Sequence, residues 1–420
     1  MRASQHTTTA HLSTNGERLW SRLEAMAKIG ATPKGGCNRQ ALTPEDAAGR
    51  GLFMDWCRKA GCEIRIDEIG NIFARRPGRS NALPAVITGS HLDTQPTGGK
   101  YDGVYGVLAG LEVLETLNDN SIQTEHPLEV VVWTNEEGCR FNVAMMGSAV
   151  WAGAMDLSAA YAMTDQAGKT VRDELERIGH KGDIPARATA IKAAFEAHIE
   201  QGPMLEAADR MIGVVSGVQH MSRHEIIIEG QEAHAGPTPM AMRKDPVMAL
   251  AEFLPGLYQL ASDQGQHSRM TFGIIETSPG SNNTVPGRLK MTVDIRHPDR
   301  EAYDTLLGMT YTRVKEACEN YGLAYEMHCF WEAHGVEFDP ACIESVRNAV
   351  EVCGFSAMEM VSGAGHDACN VATVVPTSMI FIPCEGGLSH NEAEATAPAH
   401  VTAGATVLLH AMLEQAEFSG

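Results

Sequence analysis

Between Thr88 and Gly106 the chain reads TGSHLDTQPTGGKYDGVYG. An apolar run, Ala85-Val86-Ile87, feeds Gly89-Ser90-His91-Leu92-Asp93; a Pro/Gly-rich loop follows, and Tyr101-Asp102-Gly103 opens a segment of helical periodicity. A buried strand passing through a polar loop into a helix constrains the chain toward a helix-flanked sheet. Residues two apart on a strand share a face. His91 and Asp93 are therefore expected to point the same way, with the carboxylate orienting a metal-bound imidazole from behind. Asp102, at the loop-to-helix junction, is expected to offer a second oxygen donor. A metal site needs further donors from distant parts of the chain.

Helical periodicity covers 16 to 30 and 43 to 61, the second opening at Thr43-Pro44 with an N-cap and Pro at N1. Strands are expected at 62 to 67, 70 to 75 and 84 to 91, a helix from Gly103 to Asn118, and a buried strand from Leu128 to Trp133. That strand runs directly into Thr134-Asn135-Glu136-Glu137-Gly138. Strand and helix alternate, so a mixed, mostly parallel sheet flanked by helices is expected, an α/β class in which ligands gather beyond the carboxyl ends of strands. His91 and the Glu136–Glu137 pair stand at such ends. Phe195-Glu196-Ala197-His198-Ile199-Glu200-Gln201-Gly202-Pro203 reads as a strand stopped by Gly-Pro.

From 213 to 328 the order changes to strand (222–230), helix (243–262), strand (269–277), strand (287–296), helix (299–320), strand (322–330). This βαββαβ order is that of a ferredoxin-like α+β domain, inserted into a discontinuous first domain made of 1–212 and 329–420. The latter part carries a helix near 340–353, a strand at 377–382 and a closing helix at 398–415.

At 420 residues the chain can bury two cores. A formal net charge of −20 argues against nucleic acid or an anionic membrane surface as partner. No apolar run approaches the ~20 residues of a membrane span. The opening MRASQHTTTAHLST lacks the apolar core of a signal peptide. The ten cysteines form no framework of short repeats, Cys57 and Cys62 reading as buried thiols, so a reduced, cytoplasmic protein is expected.

The candidate donors are His91, Asp102, Glu136, Glu137, His198 and His390, each at a strand end or in a loop beside glycine or proline. Taken singly none is persuasive, since 17 histidines place several near loops by chance. Adjacent glutamates after a buried strand can divide two tasks, one carboxylate binding metal and its neighbour acting as general base. Three histidines, one glutamate and a bridging aspartate suit two borderline divalent ions such as Zn2+, Mn2+, Co2+ or Ni2+. Two-metal hydrolytic sites hold their ions about 3.5–4 Å apart, and Asp102 is the best-placed bridge. There is no G-x-S-x-G elbow and no Walker A loop. Gly363-Ala364-Gly365-His366-Asp367-Ala368 fits G-x-G-x-x-A only formally, and its glycines read as close backbone approach to a ligand.

The stretches GSHLDTQPTGGKYDG, VVWTNEEGCRF, FEAHIEQGP, AHAGPTPM, SNNTVPG, DIRH, SGAGHDA and PCEGGLSHNEAE together resemble the dinuclear-metal amidohydrolases of the aminoacylase and carboxypeptidase clan. Within it they are similar to the ureido branch of N-carbamoyl-L-amino-acid hydrolases, β-ureidopropionases and allantoate amidohydrolases. The resemblance runs from about residue 16 to 415. It implies that His91, Asp102 and His198 hold one ion and Asp102, Glu137 and His390 the other, with Glu136 as general base and Asp93 behind His91. It implies that the inserted domain is a lid that also makes the contacts of a homodimer. It further implies that Arg296 clamps a substrate carboxylate, that His234 steadies a developing oxyanion, and that Asn283, Gln201 and the backbone of Gly363, Ala364 and Gly365 touch substrate.

Read without the resemblance, His234 and Asn283 are ordinary turn residues and Arg296 a surface charge. Gly236-Pro237 stands where many relatives have Gly-Thr. The implied reaction cleaves the ureido C–N bond of an N-carbamoyl amino acid, N-carbamoyl-β-alanine or an N-carbamoyl-L-α-amino acid, to amino acid, carbon dioxide and ammonia. Allantoate, and a peptidase or aminoacylase activity of the same clan, are the alternatives. A metal-containing binding protein without catalysis is the reading from another class.

Overall fold

The computed structural model describes residues 12–418. The polar N-terminus singled out above lies outside the described residues up to residue 11. The chain divides into two compact units: the described residues up to Gly217 together with those from Glu337 onward, and Val218–Val336.

In the first unit a short antiparallel pair, β1 (Glu63–Ile66) and β2 (Ile72–Arg76), leads to β3 (Ala85–His91), β4 (Leu128–Trp133), β5 (Ile191–Ile199) and β6 (Ile212–Val218). In the second unit follow β7 (His220–Glu229), the two-residue β8 (Ala233–His234), β9 (Arg269–Ser278), β10 (Thr284–Val285), β11 (Arg288–His297) and β12 (Ala324–Ala333). The chain then forms β13 (Val336–Glu337), β14 (Ala357–Ser362) and β15 (Thr377–Ile382).

The large sheet has nine strands in the order β1-β2-β4-β3-β5-β15-β6-β13, with β14 paired to β6. Its centre, β4-β3-β5-β15, is parallel, and its flanks are antiparallel at β2–β4 and β15–β6. Every residue of β3 and β4 is buried, as expected for parallel strands covered on both faces. The helices Val104–Asp119 and Pro398–Gln415 lie against β3, β5 and each other, while the short helix Asp367–Val371 packs against β5 and β15. Helix Val104–Asp119 is buried almost all round, which explains its near-continuous apolar sequence.

The second unit is a four-stranded antiparallel sheet, β12-β7-β11-β9. The helices Pro246–Asp263 and Arg300–Asn320 bury Phe253, Leu257, Tyr303, Leu306 and Val314 with Ile226, Ile228, Met291, Val293 and Ile295 of the sheet. The chain order is βαββαβ, the ferredoxin-like order.

The unit's limits differ from the expected 213–328. Residues Ile212–Val218, a glycine-broken run with no clear period, pair antiparallel with β15 and so belong to the large sheet. At the other end β12 extends to Ala333. Cys57 and Cys62 are buried, and all ten cysteines are free thiols. No helix among the described residues is long and apolar enough to cross a membrane.

Candidate metal centre

The site lies in the first unit, beyond the carboxyl ends of the central parallel strands. His91 is the last residue of β3, Glu136 and Glu137 follow β4, and His198 is the penultimate residue of β5. Parallel pairing sets His91 opposite Trp133 of β4, so all three strands release their donors at one edge. Asp102 precedes Gly103, the N-cap of helix Val104–Asp119, which sits at φ 67°. A side chain at Gly103 would bring its Cβ within 2.3 Å of the His91 ring. Only glycine lets the Asp102 turn come this close to the imidazole.

Two donor groups result, His91 with Asp102 and His198, and Asp102 with Glu137 and His390, each with its ligand atoms within 4.8 Å of one another. Asp102 divides its oxygens between them. Oδ1 lies 3.2 Å from His198 Nε2 and 3.7 Å from His91 Nε2, while Oδ2 lies 3.3 Å from His390 Nε2. His390 Nε2 is also 3.4 Å from Glu137 Oε2. Two donors bound to one tetrahedral ion at ordinary Zn–N and Zn–O lengths stand about 3.4 Å apart, which these separations match. Glu136 reaches His91 Nε2 at 3.5 Å yet belongs to neither group.

The Nδ1 atoms of His91 and His198 lie 2.8 Å from Asp93 O and 2.9 Å from Ile199 O. A carbonyl can only accept, so each Nδ1 carries hydrogen, which leaves Nε2 as the nitrogen able to bind an ion. This corrects the expected role of Asp93. Strand β3 ends at His91, so Asp93 does not continue the alternation, and its backbone carbonyl is what backs the imidazole. The Asp93 carboxylate, 4.0 Å from the ring, instead accepts the N–H groups of Glu136 at 3.3 Å and Glu137 at 3.1 Å. It orients the glutamate pair rather than the histidine.

Electrostatics supports a cationic occupant. Burial works against charge on Asp102, yet hydrogen bonds from His198 and His390 hold its carboxyl well below the usual range. Burial opposes charge on His198 as well, but the Asp102 hydrogen bond overrides it and raises the ring to about 9. The same bond, with Glu137 nearby, takes His390 to about 9. His91 is pushed down to about 4 by burial. Glu137 rises to about 8 and Glu136 well above its ordinary value, first through burial and then through neighbouring carboxylates, Asp367 foremost for Glu136 and Asp102 for Glu137. Protons thus collect where divalent ions would bind, because both pair the same imidazoles and carboxylates. The residues present fit a metal pair.

Several supporting residues are not among the candidates read from the sequence. Gln95 binds the Glu137 carboxylate through its backbone N at 3.1 Å and its Nε2 at 2.7 Å. Glu196 and His366 form a third donor group with His198, fully buried beneath it. His366 packs edge-on against His198 at 4.6 Å. Glu196 accepts from Ser90 at 2.7 Å and from the Ala368 backbone at 2.9 Å. The His366–Asp367 pair within SGAGHDA was the available clue. Asn135, Met145, Gln201 and His390 all adopt positive φ between 53° and 56°, a backbone state that non-glycine residues hold at a cost and that clusters at functional sites.

The expected substrate contacts fall into two sets. In the first unit, Gln201 donates to Asp102 Oδ2 at 2.9 Å. Gly363 and Ala364 follow β14 in a loop where Ala364 N donates to Ser362 Oγ. Next to them, a Cβ on Gly365 would stand 3.3 Å from the Met145 side chain. Met145 N in turn donates to Glu136 O, which ties this loop to the glutamate turn. In the second unit, His234 of β8 pairs with Thr284 of β10, and Asn283 Nδ2 lies 3.5 Å from His234 Nε2, both exposed. Arg296 on β11 is forked onto Asp294, Nε to Oδ1 at 2.6 Å and Nη2 to Oδ2 at 3.1 Å.

A family model described as peptidase family M20/M25/M40 matches residues 87–414. An N-carbamoyl-L-amino-acid amidohydrolase of Rhizobium meliloti is 48% identical over 96% of this chain and 97% of its own. An allantoate amidohydrolase of Bacillus subtilis is 32% identical over 92% and 94%. Among solved structures, an amidase of the hydantoinase/carbamoylase family from Burkholderia multivorans superimposes with a TM-score of 0.94 at 48% identity, covering 96% of this chain and 98% of that one.

Proposed function

The chain belongs to peptidase family M20/M25/M40, and from that footing we propose that it hydrolyses the ureido C–N bond of N-carbamoyl amino acids, releasing amino acid, carbon dioxide and ammonia. The observation that carries this reading is the Asp102 carboxylate divided between two donor groups, with Glu136 alongside and in neither.

His91, Asp102 and His198 would hold one ion, and Asp102, Glu137 and His390 the other. Two borderline divalent ions bound there would supply Lewis acidity to the ureido carbonyl and lower the pKa of the attacking water. Glu136 takes the proton from the attacking water and hands it to the departing nitrogen. Burial and acidic neighbours raise its affinity for that proton, which suits a general base working near neutrality. The Asp93 carboxylate, by holding the backbone of both glutamates, keeps the base aimed at the reacting atoms.

The second unit acts as a lid, excluding water when closed. Arg296, its guanidinium oriented by Asp294, binds the substrate carboxylate, and His234 with Asn283 meets the carbonyl oxygen as charge develops. Gln201 and the Gly363–Ala364 backbone complete the contacts from the first unit. The same lid provides the surface of a homodimer. Supporting this, Ile274 and Ile275 on the edge strand β9 are nearly half exposed, and unprotected apolar edges favour strand pairing with another chain.

The test is a panel of N-carbamoyl-L-amino acids, N-carbamoyl-β-alanine, allantoate, N-acetyl amino acids and dipeptides, each assayed after reconstitution with Zn2+, Mn2+, Co2+ or Ni2+. Ammonia release from the carbamoyl compounds, with dipeptides inert, is expected. Preferential cleavage of dipeptides or N-acetyl amino acids would overturn the assignment.

A further inference from the structure

Glu394 is 4% exposed and has no place in either donor group. Its Oε1 accepts the backbone N–H groups of Tyr101 at 2.9 Å and Asp102 at 3.1 Å. Its Oε2 lies 3.0 Å from the Ser389 hydroxyl, which is also 3.2 Å from Asp102 Oδ2 and accepts from Gln201 at 3.2 Å. One carboxylate therefore ties the turn carrying Asp102 to the loop carrying His390, segments 287 positions apart. Space is reserved for it. A Cβ on Gly99 would fall 2.1 Å from the Glu394 carboxyl atoms, so any side chain there would expel it.

We propose that Glu394 is the positioning residue for the ion held by Asp102, Glu137 and His390, an inference that rests on the two-ion reading above. The two donor groups differ in how they are braced. His91 and His198 belong to strands fixed by ladder bonds on both sides, and each Nδ1 is tied to a backbone carbonyl. Glu137 is braced by Gln95. His390 has neither support: it sits in a loop at φ 53° with its side chain 52% exposed. What relates that loop to Asp102 is the Glu394–Ser389 bridge. Removing the bridge should free His390 and leave the other ion's histidines in place.

The experiment titrates the metal-free full-length protein with Zn2+ alone, in competition with a chelating dye, for wild type, Glu394→Ala, Glu394→Gln and Ser389→Ala. Wild type takes up two equivalents. Glu394→Ala is expected to keep one near wild-type affinity and bind the other about 10–100-fold more weakly, the usual effect of losing an outer-shell partner. Glu394→Gln stays close to wild type, since an amide oxygen can accept the same two N–H groups. Ser389→Ala moves in the direction of Glu394→Ala by a smaller factor, and it carries the test alone if Glu394→Ala does not fold. Unchanged affinity for both equivalents in the alanine variants, or parallel weakening of both, would overturn the proposal. Uptake of a single equivalent by wild type would overturn the two-ion reading itself, and this proposal with it.

Discussion

Replacing Asp93 by asparagine separates two accounts of how the centre is built. If the carboxylate backed His91, as the alternation of a strand suggests, its neutralisation would loosen the histidine and cost about 10–100-fold in affinity for the ion that His91 holds. The structure assigns that task to the Asp93 carbonyl, which the substitution leaves intact. The side chain instead binds the N–H groups of Glu136 and Glu137. Asparagine keeps one acceptor oxygen and turns an NH2 group toward the other N–H, so one buried donor loses its partner. That costs about 1–3 kcal/mol. Taken from the productive placement of Glu136, this corresponds to a fall in kcat of roughly 5- to 150-fold, at 1.36 kcal/mol per factor of ten.

The assay pairs steady-state kinetics at saturating metal with Zn2+ titration, using His91→Ala to identify which titration step belongs to His91. The expected result is reduced kcat with that step unmoved. A variant whose His91 step weakens as in His91→Ala, while kcat of the loaded enzyme stays at the wild-type value, would refute the reasoning.

Three further outcomes are expected. Glu136→Gln should retain both equivalents of metal and lose about 10²–10⁴ in kcat; loss of metal in parallel would mean that the two glutamates exchange roles. Arg296→Ala should raise KM for substrates bearing a carboxylate by about tenfold or more, the equivalent of a charge-assisted hydrogen bond of about 1.5–3 kcal/mol, and unchanged kinetics would remove its role as clamp. Away from the site, hydrogen bonds from Arg177 and then Arg140, against opposing burial, lower the Glu174 carboxyl from 4.5 to about 2. The folded state thus releases this proton more readily than the unfolded chain. The resulting stabilisation is complete above pH 4.5 and disappears as pH falls toward 2. Unfolding midpoints measured from pH 6 to 3 should fall more steeply for wild type than for Glu174→Gln, and identical slopes would exclude the effect.

The donors are legible in the chain because their surroundings are local. His91, Glu136, Glu137 and His198 each end or follow a strand whose apolar run can be counted, and glycine or proline marks each departure from the sheet. The supporting residues lack such marks. Glu196 looks like any polar residue within a strand, and its partner Ala368 N is 172 positions away. Gln95 and Glu394 are ordinary loop residues until the fold closes over them. The Ile212–Val218 strand has no clear period of its own and is recruited by β15, so the limit of the inserted unit could not be placed from pattern alone.

The amino-acid order by itself determines the alternating strands and helices, the βαββαβ insertion, and which side chains are able to bind metal. All of these follow from short-range periodicity and from the chemistry of each residue. Tertiary structure alone decides that Oδ1 of Asp102 faces two histidines while Oδ2 faces a third, and that a carbonyl rather than a carboxylate stands behind His91. It also decides that Glu394 joins two distant loops. Those outcomes depend on strand order and on turns held at positive φ, which bring atoms from remote parts of the chain within 3–4 Å, and no pattern with a period of two or 3.6 residues encodes that convergence.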